Sequence, residues 1–431
     1  MKWMGLCFIA LAVFCGGANA QVTGTIIEQP QDKRLPIAVP DFASAPGQES
    51  MGVQMAQIIR DDLAFTGVFR VMSRDQYPPA FTGFTQEPDQ VSFDAWRQTK
   101  AAFLVHGYVA TENGQLAVYC RLFDVASGRQ MMGKRLAESP QWARQIAHAF
   151  SDEVTAQLDG QPGCATSQLC FSSVVSGKKE LFLCDYDGAN ARQVTQHASI
   201  SILPAFSPDG NQVAYSSFKD RFPFLYILDL SSGKSRSLSR DPGLNGSPTW
   251  APDGRSLAIV LSKDANMEIY RLSADGSNKQ RLTNDPGLDT SPTFSPDGSK
   301  IAFVSERGGS PQIYVMSASG GAAQRISTQG GNSVDPNWSP DGRSIVYVVE
   351  KGGEGQEVYV MGSDGSNPIR LTNSAGNNES PNWSADSRHV VFTSTRSGRS
   401  ELWTATLSTG ENRKVPQLTI NGQGPSWGPR R

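Results

Sequence analysis

After its first fifteen residues the chain has no apolar run approaching the roughly 20 residues that a helix needs to cross a bilayer, so a membrane-spanning protein is not expected. It has no block of like charge either. The 39 basic and 41 acidic side chains are scattered, which removes the electrostatic argument for nucleic acid as a partner. There is no Cys-x2-Cys pair and the four histidines are dispersed, so a zinc site is not expected and no metal-ligating residue is assigned. Gly-x-Ser-x-Gly, the turn that carries the nucleophile of α/β-hydrolases, is also missing. His106, His148, His197 and His389 have no Ser or Cys partner that the sequence identifies, and no catalytic residue is assigned. What remains is ordinary globular composition, 38% hydrophobic and 19% charged over 431 residues, enough for two or three domains.

The first twenty residues, MKWMGLCFIALAVFCGGANA, differ from the rest. One Lys, an apolar stretch from Trp3 to Cys15 and the small residues before Gln21 read as a secretory signal peptide over 1–20. A lipid-anchoring signal would place Cys at the cleavage site, where Gln21 stands. The mature chain is expected in an exported, oxidising compartment. There Cys120, Cys164, Cys170 and Cys184 are free to pair in three ways or to remain as buried thiols.

An internal repeat dominates the remainder. PAFSPDG at 204 returns as PTWAPDG at 248, PTFSPDG at 292, PNWSPDG at 336 and PNWSADS at 381, and PSWGP follows at 425, with successive spacings of 44, 44, 44, 45 and 44 residues. Each unit reads as four short strands. A tight Ser-Pro-Asp-Gly turn separates the first from the second, and Gly supplies its positive φ. Five units are complete. Residues 170–195 supply strands two to four of a sixth and 424–429 supply its first strand, so the two fragments are expected to join and close a six-bladed β-propeller over 168–431. The recurring aromatics Phe206, Trp250, Phe294, Trp338, Trp383 and Trp427 are expected in the core.

Ahead of the propeller, residues 34–160 alternate strand and helix patterns and form a small α/β domain, giving an α+β two-domain protein. A strand at 34–42, a helix over 50–67 ending at Gly67, a strand at 68–73, a helix at 91–100, a strand and hairpin to 137 and a closing helix are expected. Residues 159–167 read as the linker and 21–33 as a flexible leading segment. Within the propeller, the turns between strands one and two and between three and four share one face and are nearly identical. The loops between two and three and between blades share the other face and vary, so binding is expected there.

PIAVPDF, DDLAFTGVFRV and six blades of the Pro-x-[Phe/Trp]-Ser-Pro-Asp-Gly type together resemble the TolB family of periplasmic Tol-Pal components. The resemblance implies a non-catalytic protein that links the outer-membrane lipoprotein Pal to inner-membrane TolA. Such a protein supports outer-membrane integrity and constriction at division, with other envelope proteins as further partners. It places the Pal surface on the blade-to-blade loops, at Leu244, Asn245, Ser247, Asp289, Thr290, Ser291, Asp335 and Glu379. Leu244, Asn245, Gly246 and Ser247 stand where the family often has His-Asn-Gly-Ala. It places the TolA segment at Gln21, Val22, Thr23, Gly24, Thr25, Ile26, Ile27 and Glu28. No cofactor is expected, with calcium in the propeller channel as the one candidate, suggested also by Asp289, Asp335 and Glu379. The alternatives are a secreted propeller that binds carbohydrate or peptide, and a remnant of a prolyl-oligopeptidase-like enzyme.

Overall fold

The repeat unit explains its own geometry. In the turn at 207–210, Ser207 Oγ donates to Asp209 and to the carbonyl of Gln212, Asp209 accepts from the backbone of Asn211, and Gly210 sits at φ +71°. The same capping recurs at Ser295–Asp297, Ser339–Asp341 and Ser384–Asp386. Apolar residues of the middle strands fill the space between neighbouring blades. The computed structural model describes residues 32–79, 81, 91–353, 355–374 and 376–431. The signal peptide and the TolA segment expected from the sequence lie outside the described residues.

Six four-stranded antiparallel sheets follow one another. Five are contiguous in sequence, and the sixth combines the strand Gln423–Trp427 with Gln168–Val175, Lys178–Asp185 and Arg192–Gln193. The expected closure is therefore present: Gln423 pairs with Ser172, Ser426 with Cys170 and Trp427 with Leu169.

The second letter of the repeat now has a reason. Asn337 accepts a hydrogen bond from the backbone of Trp383, Asn382 from Trp427, Thr293 from Trp338 and Ser426 from Phe206. A polar side chain on one blade thus latches the main chain of the next. Five of the six repeated aromatics are buried and Phe206 is half-buried, while their rings surround a cavity of 370 Å³ at the turn face.

The first strand of each blade starts earlier than the loops expected from the sequence. Asn245–Trp250, Asp289–Phe294, Asn332–Trp338 and Asn378–Trp383 are strands, so every expected Pal residue except Leu244 belongs to a strand. The strand runs through its proline because a bulge sits there. Leu203, Ser247, Ser291, Asp335, Ser380 and Gly424, each just before the repeated proline, all have positive φ between 46° and 55°. The register shifts at the same point in every blade. A residue before proline normally avoids helical conformations, and the left-handed one costs a non-glycine residue about 1–2 kcal/mol. The proline's missing N–H costs nothing, because an innermost strand has a ladder partner on one side only.

In the leading domain, β1 (Leu35–Ala38), β2 (Ala43–Ser44), α1 (Glu49–Phe65), β3 (Phe69–Val71), α2 (Phe93–Arg97), β4 (Phe103–Glu112), β5 (Gln115–Asp124), β6 (Gln130–Glu138) and α3 (Ala143–Asp159) follow the expected order. The sheet runs β3-β1-β4-β5-β6, parallel around β1 and antiparallel beyond β4. Ile59, Leu63, Ile146 and Phe150 on α1 and α3 pack onto it. All four described cysteines are buried free thiols, which selects the unpaired alternative.

Residues 34–431 form one compact unit, and its joint is dense. Gly67 ends α1 at φ +70°, where a Cβ would lie 2.6 Å from Ser408 Oγ of the propeller. Phe65 stacks on His389 at 4.0 Å and faces Trp427 at 6.4 Å. The linker is tied down: Asp152 accepts from the backbone of Ala165 and Thr166, and Trp427 Nε1 donates to Ser167 Oγ at 2.7 Å.

Candidate functional site

The leading domain sits on the turn face, and among the described residues it leaves the opposite, variable-loop face uncovered. Four of the large exposed apolar side chains lie there in one sector: Val174 (60% exposed), Ile200 (40%), Leu203 (41%) and Phe222 (62%). The backbone connects them. Val174 pairs with Lys179, Lys179 bridges Ile200, and the Ile200 carbonyl accepts from Phe218 at the start of the loop that carries Phe222. Leu203 is the strained pre-proline residue of the same strand. A groove of 500 Å³ lined by Val174, Lys179, Phe182, Arg399 and Ile420 adjoins them. Beside Phe222, whose ring lies 5.9 Å from Phe224, Lys219 sits over Tyr226 and Arg240 faces both Phe224 and Tyr226. This exposed apolar sector, flanked by cationic side chains, is the candidate docking surface.

The expected site residues divide into two groups. Asn245 is buried, donating to the carbonyls of Asp241 and Gly243 and accepting from Ser239, so its polar atoms are used within the blade. Asp289 is also buried and is held by Arg307, which itself lies against Phe303 and Tyr314. Burial raises the Asp289 carboxyl above its ordinary pKa although Ser305 and Arg307 oppose the shift. Leu244, Ser247, Thr290, Ser291, Asp335 and Glu379 are part-exposed. Asp335 accepts from Ser291 of the preceding blade, and burial together with the charges of Glu379 and Glu350 pushes its pKa up. The sequence reading missed Val174, Ile200, Leu203 and Phe222. One signal was available: SFKDRFP is the only loop between strands two and three that contains phenylalanine.

Comparison with known proteins agrees with this architecture. A family profile described as "TolB beta propeller domain" matches residues 156–356 and 331–431, and one described as "TolB amino-terminal domain" matches 25–131. "Tol-Pal system protein TolB" of Desulfosudis oleivorans is 36% identical over 205 residues, covering 46% of each chain. The Roseobacter denitrificans protein of the same name is 35% identical over 219 residues, 49% of this chain and 48% of that one. The chain thus spans about half the length of the curated relatives it matches. The crystal structure of TolB from Acinetobacter baumannii superimposes with a TM-score of 0.82 at 26% identity, over 92% of this chain and 97% of that one.

Proposed function

The chain belongs to the TolB family, and from that premise we propose that it is a non-catalytic periplasmic adaptor of the Tol-Pal envelope system. It docks the lipoprotein Pal on the variable-loop face of the propeller and engages TolA through residues 21–28. By joining the two membranes in this way it supports outer-membrane integrity and constriction at division. The observation that carries the reading is the apolar sector of Val174, Ile200, Leu203 and Phe222 on the face that the leading domain leaves open.

A calcium ion bound at this face would relieve Asp335, whose pKa burial and the charges of Glu379 and Glu350 raise. Asp289 does not fit, since Arg307 occupies its carboxylate. A cation held by Asp335 and Glu379 would neutralise that charge and fix the part-exposed residues around it.

Two results are expected. Phe222→Asp with Leu203→Asp weakens Pal binding at least roughly tenfold, while the melting temperature stays near that of the parent because both side chains are exposed. Surface plasmon resonance with soluble Pal checks the first effect and calorimetry the second; unchanged affinity would place the docking surface elsewhere. Deleting residues 21–28 abolishes TolA binding and leaves Pal binding intact, since a freed, β-compatible segment adds as a strand to a partner's sheet edge. Pull-downs from envelope extract with and without residues 21–28 read this directly. Equal recovery of an inner-membrane partner by both forms would overturn it.

A further inference from the structure

We propose that Cys164, Asp386 and His389 form a binding site for a borderline-soft divalent metal of the Zn²⁺ class at the joint between the linker and the propeller. One donor atom from each lies within 4.8 Å of the other two. Cys164 comes from the linker. Asp386 and His389 come from the first turn of the fifth blade, more than 200 residues away, which is why no ligand spacing appears in the sequence.

The other blades act as internal controls. Each equivalent turn keeps Asp and Gly, and the position three after Asp is Gln212, Ser256, Lys300 or Ser344. Only the fifth blade reads Ser-Ala-Asp-Ser-Arg-His. The Asp of the other turns spends its carboxylate on its own turn. Asp386 does this with Oδ1, which accepts from Ser384 and Arg388 N, and turns Oδ2 inward to lie 3.9 Å from His389 Nε2.

An independent observation points to a ligand. His389 is 0% exposed, yet its Nε2 has no hydrogen-bond partner. Nδ1 lies 3.1 Å from Thr406 Oγ1. With Nδ1–H donating to that hydroxyl, Nε2 presents a lone pair into the cluster, the arrangement in which a second contact fixes the tautomer of a metal-binding histidine.

Loading breaks the Cys164 S–H bond, forms a metal–thiolate bond and releases one proton to solvent. The charges of thiolate and carboxylate then balance the dication, and a solvent molecule takes the fourth position. Arg388 lies 3.4 Å from Asp386 Oδ2 and must yield it. It is already held by Asp159 and by the carbonyls of Gln161 and Pro162. The metal would staple the linker to the fifth blade.

The full mature chain, stripped with chelator, is titrated with Co²⁺ and with Zn²⁺. Expected results are one equivalent bound, a thiolate-to-cobalt charge-transfer band, and an affinity reduced roughly 100-fold or more in Cys164→Ser and in His389→Gln. X-ray absorption of the zinc-loaded parent chain, which needs no variant, should show one sulfur and otherwise nitrogen and oxygen ligands. Absence of the sulfur shell, absence of the charge-transfer band, or equal zinc affinity in folded parent and variants would each overturn the proposal.

Discussion

Removal of residues 424–431 is expected to lower the melting temperature by about 10–20 °C, far more than trimming an eight-residue surface tail. The segment holds nearly all of the strand that completes the sixth blade. Trp427 is 6% exposed, and losing a buried aromatic of this size costs about 3–5 kcal/mol. Its removal also leaves Ser167, the side chain of Asn382 and the backbone N–H of Phe206 without their partners. Gln168 and Gly210 lose the contacts made by Gly428 and Arg431. Trp427→Phe, which keeps most of the apolar surface and loses the bond to Ser167, should cost only about 1–2 kcal/mol. Differential scanning calorimetry of the three proteins measures the series. A truncated chain that melts with the parent would mean that the ring is held closed without this strand.

The second large effect lies across the joint. Asp62 on α1, 3% exposed, meets His148 Nδ1 at 2.9 Å and accepts from the Tyr186 hydroxyl of the sixth blade at 2.7 Å. Asp62→Leu strands a buried imidazole and a buried phenol together, a loss of about 3–5 kcal/mol. The same pair makes stability depend on pH. Burial alone would lower the His148 pKa, but the charge of Asp62 and its hydrogen bond outweigh it and raise the pKa above 6.5, with Arg144 opposing and Asp187 assisting. A histidine raised on folding contributes fully below its unfolded pKa. That contribution disappears as pH climbs from about 6.5 through the folded value. Urea unfolding at pH 6 and pH 8.5 should therefore show a loss in the parent that His148→Gln does not share. Parallel pH profiles for the two proteins would remove His148 as the cause.

The sequence disclosed whatever is local or periodic. The 44-residue recurrence, the turn chemistry and the two orphan fragments are enough to count blades and close the ring, and helical periodicity with Gly67 as terminator locates α1. Where the first strand begins was hidden, because a left-handed residue before proline contradicts the preference read from sequence. Ser247, Ser291 and Asp335 adopt it at the bulge where the strand register shifts, as the equivalent residue of every blade does. Clusters assembled from distant parts of the chain were hidden too. Nothing near Cys164 indicates Asp386 and His389, and nothing near Asp62 indicates Tyr186. The exposed apolar sector was half visible: the two phenylalanines of SFKDRFP were legible, whereas the exposure of Val174 and Ile200 depends on how the sixth and first blades meet.

Ring closure also sets an order of assembly. Gln423 and its partner Ser172 are about 250 residues apart, and bringing such distant segments together costs about 5 kcal/mol of chain entropy before any contact offsets it. Until that happens, the strand Gln168–Val175 offers a bare edge to other chains, the template from which edge-to-edge aggregation grows. Trp427 also furnishes part of the seat for Phe65. The last strand to arrive therefore also completes the joint on which the α/β domain rests. A chain of this design is most exposed to proteases and to its own copies during that interval, and a chaperone that shields residues 168–175 would act where the hazard is greatest.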